Sequence, residues 1–396
     1  MRIVFFTHPE FSNHQSMPRF ANMLINGMKS KKHEVEIWTP KPYFFNLKVP
    51  ASLKKWMGYT DQYLIFPLTI RKRIKRCSKD TIFAFCDQAL GPWVPLVADR
   101  LHVIHCHDFL AQRSALRQIP ENPVSWSGRQ YQALIKRGYS TGKNFISVSE
   151  KTRSDLHSML KIAPLISEVV YNGLNQLFSY QSRAESRNQL TKKLGIDLAN
   201  GFILHVGGNQ WYKNRTGVIE IYNAWRKKSA INLPLLMIGY SPSLKISEMH
   251  SLSPYKADIH LISGLNDEFV RMAYAGASVF LFPSLAEGFG WPIAEAMASA
   301  CPVITTNEAP MTEVAGKAAF FIPKRPYNIN EVNNWAQEAA DLIDYVLQLP
   351  ETVLNGVIES GLKNVKRFEP ESVLEQIESI YKNISLQSEN KLHRLL

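Results

Sequence analysis

Short apolar runs alternate with helical patterns along nearly the whole chain, in two series, and this alternation limits the fold more than any other feature. "RIVFFT" reads as a buried strand, a helical pattern runs from Ser16 to Lys31, and "HEVEIWT" is strand again. "LHVIHC", "PVSWS", "NFISVS" and "EVVYN" read as further strands, with helical stretches such as "KTRSDLHSML" between them. Strands that are apolar on both faces belong to parallel sheets covered by helices on both sides. After a polar stretch from Gln181 to Asn200, the pattern restarts with "FILHVGG", "LPLLMIGY", "ADIHLISG", "SVFLFPS", "PVITTN" and "AAFFIP". Two long helical patterns, Asn330 to Gln348 and Glu371 to Leu386, close the sequence.

The expected class is therefore α/β, with two doubly wound Rossmann-like domains. Residues 1–180 form the first, with an insertion at about 41–91 that interrupts the alternation. Residues 181–370 form the second, and residues 371–396 are a closing helix that can pack back on the first.

The opening "MRIVFFTHPEF" is too short an apolar run to be a secretion signal, and no segment is apolar for long enough to span a bilayer. The expectation is a cytoplasmic protein. Cys77, Cys86, Cys106 and Cys301 show no CxxC spacing, so they read as reduced packing residues. A net charge of +12 favours polyanionic partners, but no nucleic-acid motif accompanies it, and nucleic acid is not expected.

The stretch with most chemistry is "SLAEGFGWPIAEAMASACPVI", Ser284 to Ile304. Gly288 and Gly290 follow an apolar strand and leave room for a ligand. Pro292 suits the first position of a helix whose free amides attract phosphate. Glu287 and Glu295 would repel a phosphate they touched, so neighbouring hydroxyl groups suit them better. A nucleotide sugar offers ribose hydroxyls, a diphosphate and sugar hydroxyls in that order. The plain alternative is that both acids merely favour a helix N-terminus electrostatically.

The run from Ile262 to Pro323 resembles the donor-domain signature of the retaining glycosyltransferases of family 4, which have the GT-B fold, two Rossmann-like domains facing across a cleft. The resemblance implies a sugar transfer from a nucleotide diphosphate sugar to a hydroxyl acceptor. It places Glu287 by the donor sugar, Glu295 on the ribose, and the amides of Gly288, Phe289 and Gly290 near the sugar and phosphates. "HVGGNQWYKNR" resembles the family's strand-to-helix loop, in which an Arg and a Lys neutralise the diphosphate. Lys213 falls on the Lys position, while the Arg position holds Gly208. Arg215, or the amides of Gly208 and Asn209, are the substitutes. Leu265 lies where the family contacts the base through its backbone.

In the first half, "FANMLINGMKSKKHEVEIWTP", "HVIHCHDFLA", "FISVSEKTRSDL" and "VVYNGLN" also resemble family 4. "FSNHQSMPRFA" stands where the usual glycine pair would be. The histidine that many relatives carry after "PVSWSGRQY" is absent, and His107, Asp108 and His8 are the candidates for acceptor contact. Strand alternation sends His105 and His107 to one face and His102 to the other, which argues against a metal site.

No two aspartates lie two apart, so the Asp-x-Asp cation site of the other common glycosyltransferase fold is missing and metal-independent transfer is expected. Glycosyltransfer to a glycan or lipid-linked glycan in cell-surface polysaccharide synthesis is thus the leading function. A GT-B phosphorylase or epimerase and a silent nucleotide-sugar-binding protein are the alternatives. Between Lys54 and Lys79 lie eight cations and one acid, interleaved with Trp56, Met57, Tyr59, Tyr63, Leu64, Ile65, Phe66 and Leu68. Such a segment either lies on an anionic membrane at the inner face or is a solvated basic helix packed on its own domain.

Overall fold

The computed structural model describes residues 1–12 and 16–393. They fall into two compact units: Met1–Tyr171 with Glu371 onward, and Asn172–Pro370.

In the first unit six parallel strands are ordered β2-β1-β3-β4-β5-β6, being Arg2–Phe6 (β1), Glu34–Trp38 (β2), Ile82–Phe85 (β3), His102–Cys106 (β4), Asn144–Ser147 (β5) and Ile166–Val169 (β6). Because neighbouring side chains point to opposite faces, each central strand feeds two cores. Val4, Phe6, Phe83, Phe85, Ile104, Cys106 and Phe145 face one way, onto Trp93, Ile135 and Tyr139. Ile3, Phe5, Ile82, Ala84, Val103 and Ile146 face the other, onto Phe20, Leu24 and Met28 of the helix Ser16–Ser30.

The closing helix Pro370–His393 completes this second face with Val373, Ile377, Tyr381 and Ile384. Tyr381 Oη and His105 Nε2 are 2.7 Å apart within that core. At its rim Glu378 accepts from Lys382 at 2.7 Å and His33 at 2.9 Å and pairs with Lys31 at 3.4 Å. The bond from Lys382, helped by His33 and Lys31, holds its carboxyl at about 2. A depressed carboxyl pKa contributes stability that is complete above the unfolded value, near 4.5, and fades as pH falls towards 2. Glu378→Gln is accordingly expected to lower the melting temperature at pH 7, with the gap from wild type closing between pH 4.5 and pH 2 in a calorimetric series.

The second unit repeats the plan with order β12-β11-β10-β7-β8-β9: Ile203–Val206 (β7), Leu235–Gly239 (β8), Ile259–Ser263 (β9), Val279–Phe282 (β10), Val303–Thr306 (β11) and Phe320–Ile322 (β12), all parallel. Ile203, Leu235, Met237, Val279 and Leu281 pack on Val218, Tyr222 and Trp225 of the helix Arg215–Lys228 and on Trp335, Ala339 and Ile343 of the helix Ile329–Leu347.

Three expectations change. The stretch 41–91 is not wholly an insertion, since β3 lies inside it and forms a central strand of the sheet. "PVSWS" is not a strand: Ser125 Oγ accepts from Gly128 N and caps the helix Trp126–Tyr139. A third C-terminal helix, Glu351–Asn364, lies between the two that the periodicity shows.

Candidate functional site

In an open parallel sheet the ligand crevice lies at the carboxyl ends of the strands, where the chain order reverses. In the second unit that point is between β7 and β10, because β8 and β9 extend one way from β7 and the chain then returns to its other side. The two loops leaving these strands are bonded together. Leu285 N donates to Tyr212 O at 2.7 Å, and Asn214 Nδ2 donates to Pro283 O at 2.9 Å. Asn214 has φ of 49°, a left-handed turn that ends the short helix Trp211–Lys213 and starts Arg215–Lys228.

Lys213 and Glu287 meet across this junction. Lys213 Nζ lies 2.8 and 3.0 Å from the two carboxylate oxygens, and both side chains are largely buried. The ammonium also sits 5.1 Å from the Phe282 ring centre and 5.5 Å from that of Tyr212. Ser284 Oγ is 2.5 Å from Glu287 Oε1 and 3.1 Å from Tyr212 O, and its single proton goes to the closer, charged acceptor. Beneath them His205 donates from Nδ1 to Leu281 O at 3.0 Å, and burial pushes its pKa down to about 3. The imidazole is therefore neutral.

Side chains from two loops crowd the position where the family's arginine would stand. A Cβ at Gly208 would lie 2.4 Å from Gln210 Oε1 and 2.9 Å from the Tyr240 ring. Arg215 is buried and braces the same loop, donating from Nη1 to Asn209 Oδ1 at 2.6 Å and to Tyr240 O at 3.0 Å. Burial lowers its pKa. Asn209 Nδ2 in turn donates to Ser241 O at 2.6 Å.

The helix Trp291–Ala298 starts one residue before Pro292, and Gly290 caps it with φ of 107°, which side chains with a Cβ rarely adopt. Gly288 is half-buried, and the buried Phe289 sets its ring edge-on to Phe368, 5.3 Å between centres. Glu295, on this helix, is buried and accepts from Tyr274 Oη at 3.1 Å. Leu265 is half-buried just beyond β9.

The first unit carries an equivalent contact at its own reversal point, between β1 and β3. His8, beyond β1, donates from Nε2 to Asp87 Oδ2 at 2.7 Å, and Ala89 N donates to Oδ1 at 2.8 Å. Burial would raise the Asp87 carboxyl, but the His8 bond, the nearby imidazoles of His8 and His107 and the bond from Ala89 N outweigh it and hold the group below its usual range. The sequence reading missed Asp87, which sits alone after "IFAFC". Its one signal is position, at the end of a strand beside β1.

His107 is bonded into the sheet edge: Nε2 donates to Cys86 O at 2.9 Å, its N–H donates to Gln88 Oε1 at 2.8 Å, and burial lowers its pKa. Asp108 Oδ1 accepts from Leu110 N at 3.0 Å. Phe20 touches the rings of both His105 and His107, which share a face, whereas His102 bonds Arg100 O and Lys143 N. The loop from His8 onward includes residues 13–15, so the replacement of the glycine pair there lies outside the described residues.

Comparison with known proteins decides the family. The model described as "Glycosyl transferases group 1" matches residues 186–355, and the one described as "Glycosyltransferase Family 4" matches residues 17–176, together most of the chain. The chain is a member of glycosyltransferase family 4. Among curated relatives of this family, O-antigen chain mannosyltransferase B of Escherichia coli is 30% identical over 120 residues, 30% of this chain and 32% of that protein. O-antigen chain mannosyltransferase RfbU of Salmonella typhimurium is 23% identical over 223 residues, 56% of each. The chain thus spans about a third to somewhat over half of the length of these two curated relatives.

Solved structures match over nearly the full length. Anabaena HepE, in complex with UDP, has a TM-score of 0.69 at 16% identity, covering 97% of this chain and 100% of that one. WaaG, described as a glycosyltransferase of lipopolysaccharide biosynthesis, has a TM-score of 0.68 at 15% identity, covering 96% and 99%. Likeness at such identities is one of fold. That fold is GT-B, with two Rossmann-like domains.

Proposed function

We propose that this family 4 protein is a retaining hexosyltransferase. Its donor is a nucleotide diphosphate sugar, and its acceptor is a hydroxyl of a glycan or lipid-linked glycan in cell-surface polysaccharide synthesis. The observation that carries the reading is the Lys213–Glu287 pair at the reversal point of the second sheet, beside the start of the helix Trp291–Ala298. Support for the chemistry comes from relatives named for O-antigen mannosyl transfer and from the HepE structures with UDP and UDP-glucose.

In this reading Lys213 exchanges its carboxylate partner for the donor diphosphate, whose charge it and the helix-start amides stabilise as the leaving group departs. Glu287, released from Lys213, accepts from the donor sugar's hydroxyls and orients the ring beside an oxocarbenium-like transition state. Glu295 takes the ribose. The amides of Gly288, Phe289, Gly290, Gly208 and Asn209 line the sugar and phosphates, and Arg215 holds the Asn209 loop in place. Leu265 meets the base through its backbone. The departing diphosphate takes the acceptor's proton on the same face, which gives retention. His107, Asp108 and His8 belong to the acceptor side. The protein works in the cytoplasm at the inner face of the membrane; among the described residues no helix is long and apolar enough to cross one.

A thermal-shift panel of UDP-, GDP-, ADP- and dTDP-sugars identifies the donor, since a ligand that binds the folded state raises its apparent stability. The anomeric configuration of the product, read by NMR with the chosen donor, then tests the mechanism. An inverted product would overturn retention, and no release of nucleoside diphosphate from any donor would overturn transfer. EDTA is expected to leave most of the transfer rate, because Lys213 and the helix amides carry the leaving-group charge. Loss restored by magnesium would show that they are insufficient.

A further inference from the structure

From Ala51 to Ile74 the chain is one helical rod, made of the α-helices Ala51–Thr60 and Phe66–Ile74 joined by a π turn, Asp61–Ile65. One line along it, Gly58, Asp61, Phe66 and Ile70, is buried, and Phe66 and Ile70 enter the core of the first unit. The opposite line is apolar and exposed. Leu53, Trp56, Leu64 and Leu68 follow one another at helical spacing across the π turn, each between 46% and 61% exposed. Beyond Leu68 the same line continues as Lys72 and Lys75, flanked by Arg71 and Arg76, all exposed.

The rod is held firmly behind this face. Its π turn sets Gln62 O opposite the nitrogen of Pro67, which has no proton to donate. Trp93 Nε1 donates to that carbonyl instead, at 3.0 Å. Tyr63 Oη and Tyr131 Oη are 2.8 Å apart, and Phe11 and Phe45 stack over Gly58.

The charges are sorted as well. Asp61 is the single acid between Lys41 and Lys79, and its carboxylate is turned inward to accept from Phe44 N at 2.9 Å and Phe45 N at 2.8 Å. Arg73 is also turned in, bonded to Glu36 and 4.6 Å from the Trp38 ring centre. The outward surface is therefore an apolar ridge that runs into four cations with no outward acid among them.

A helix already packed on one side has no structural need of an apolar ridge on the other, and this composition fits an interface of hydrocarbon beside phosphate. We propose that this face of the 51–74 rod seats the protein on an anionic lipid bilayer. Trp56, Leu64 and Leu68 enter the headgroup region, and Arg71, Lys72, Lys75 and Arg76 bind lipid phosphates. The proposal deepens the reading of a membrane-borne acceptor and rests on it for its purpose, while its physics rests on the ridge alone.

The test is co-sedimentation of the full chain with vesicles of phosphatidylcholine alone or mixed with phosphatidylglycerol. Binding is expected to the mixed vesicles only and to weaken with salt. Each cation contributes roughly five-fold (about 1 kcal/mol) to partitioning, so Arg71→Ser, Lys72→Ser, Lys75→Ser and Arg76→Ser together should cut it by roughly several hundred-fold. Leu64→Ser with Leu68→Ser should also weaken binding. Quenching of tryptophan fluorescence by brominated lipid should be lost in Trp56→Phe.

Equal pelleting with both vesicles, no pelleting, or pelleting unchanged in both multiple variants would overturn the proposal. So would a dimer of the wild-type chain that dissociates in the leucine variant while vesicles stay unbound. The nucleotide-sugar thermal shift, taken without vesicles, separates the two readings. A retained shift without vesicle binding leaves the transferase standing and removes the membrane seat; vesicle binding without any shift does the reverse.

Discussion

Glu287→Ala is expected to lower kcat at least a hundred-fold while nucleoside diphosphate binds as tightly as before or more tightly. The reason lies in the pair at the second reversal point: Glu287 holds both carboxylate oxygens within 3.0 Å of Lys213 Nζ, so a donor must displace one partner to gain the other. In the proposed mechanism, removing the carboxylate frees the ammonium for diphosphate and takes away the group that orients the sugar. A loss of about 3–4 kcal/mol in transition-state stabilisation is typical for one oriented polar group in such a site. Lys213→Ala should do the opposite to binding, weakening nucleoside diphosphate in calorimetry, and should also destabilise the protein by up to about 3 kcal/mol because it strands a largely buried carboxylate. Adding Glu287→Gln to Lys213→Ala should recover much of that stability, since the double variant buries no charge, and this coupling separates an ion pair from two independent residues. Glu295→Ala should weaken nucleoside diphosphate binding with little change in kcat at saturation. Equal and small effects from the Glu287 and Glu295 substitutions, in folded protein, would remove the assignment.

The sequence shows where these carboxylates lie but not that one of them is paired. Strands such as Arg2–Phe6 and Val279–Phe282 are legible because a sheet covered on both faces writes itself as an unbroken apolar run. Ile82–Phe85 follows the same rule, yet four residues beside a dense basic segment are too few to separate a strand from a buried turn of helix. "PVSWS" fails for the opposite reason. Its alternation imitates a strand, and the capping bond from Ser125 that makes it a helix start becomes visible only with the backbone in place. Asp87 and His8 are 79 positions apart, and only the strand order β2-β1-β3 makes them neighbours. Gly208 is legible as a missing arginine, but that Tyr240 from the next strand's loop lies beside it is not.

The largest stability effect is expected from Gly138→Ala, a substitution remote from the chemistry. Gly138 lies on the helix Trp126–Tyr139 where it crosses the 3-10 segment Gln88–Val97, and a Cβ there would fall 2.1 Å from Gly91 O, 2.3 Å from Gly91 C and 2.8 Å from Pro92 N. Every atom in its way is backbone, so no rotamer change relieves the overlap. The segment cannot easily withdraw, because Trp93 and Val94 beside the contact are buried in the core. Separating two elements in this way costs about 3 kcal/mol or more, at the upper end of overpacking substitutions. For a unit of this size that is a fall of roughly 6–12 °C in melting temperature. The displaced segment also carries Gln88, which fixes His107 N and Asp108 O, and Trp93, which fixes the 51–74 rod through Gln62 O. Protection of amides in the first unit should therefore fall in hydrogen exchange, while the strands of the second unit keep theirs. Uniform loss of protection in both units, or a melting temperature unchanged from wild type, would show that the crossing of Gly138 and Gly91 does not govern the first unit's stability.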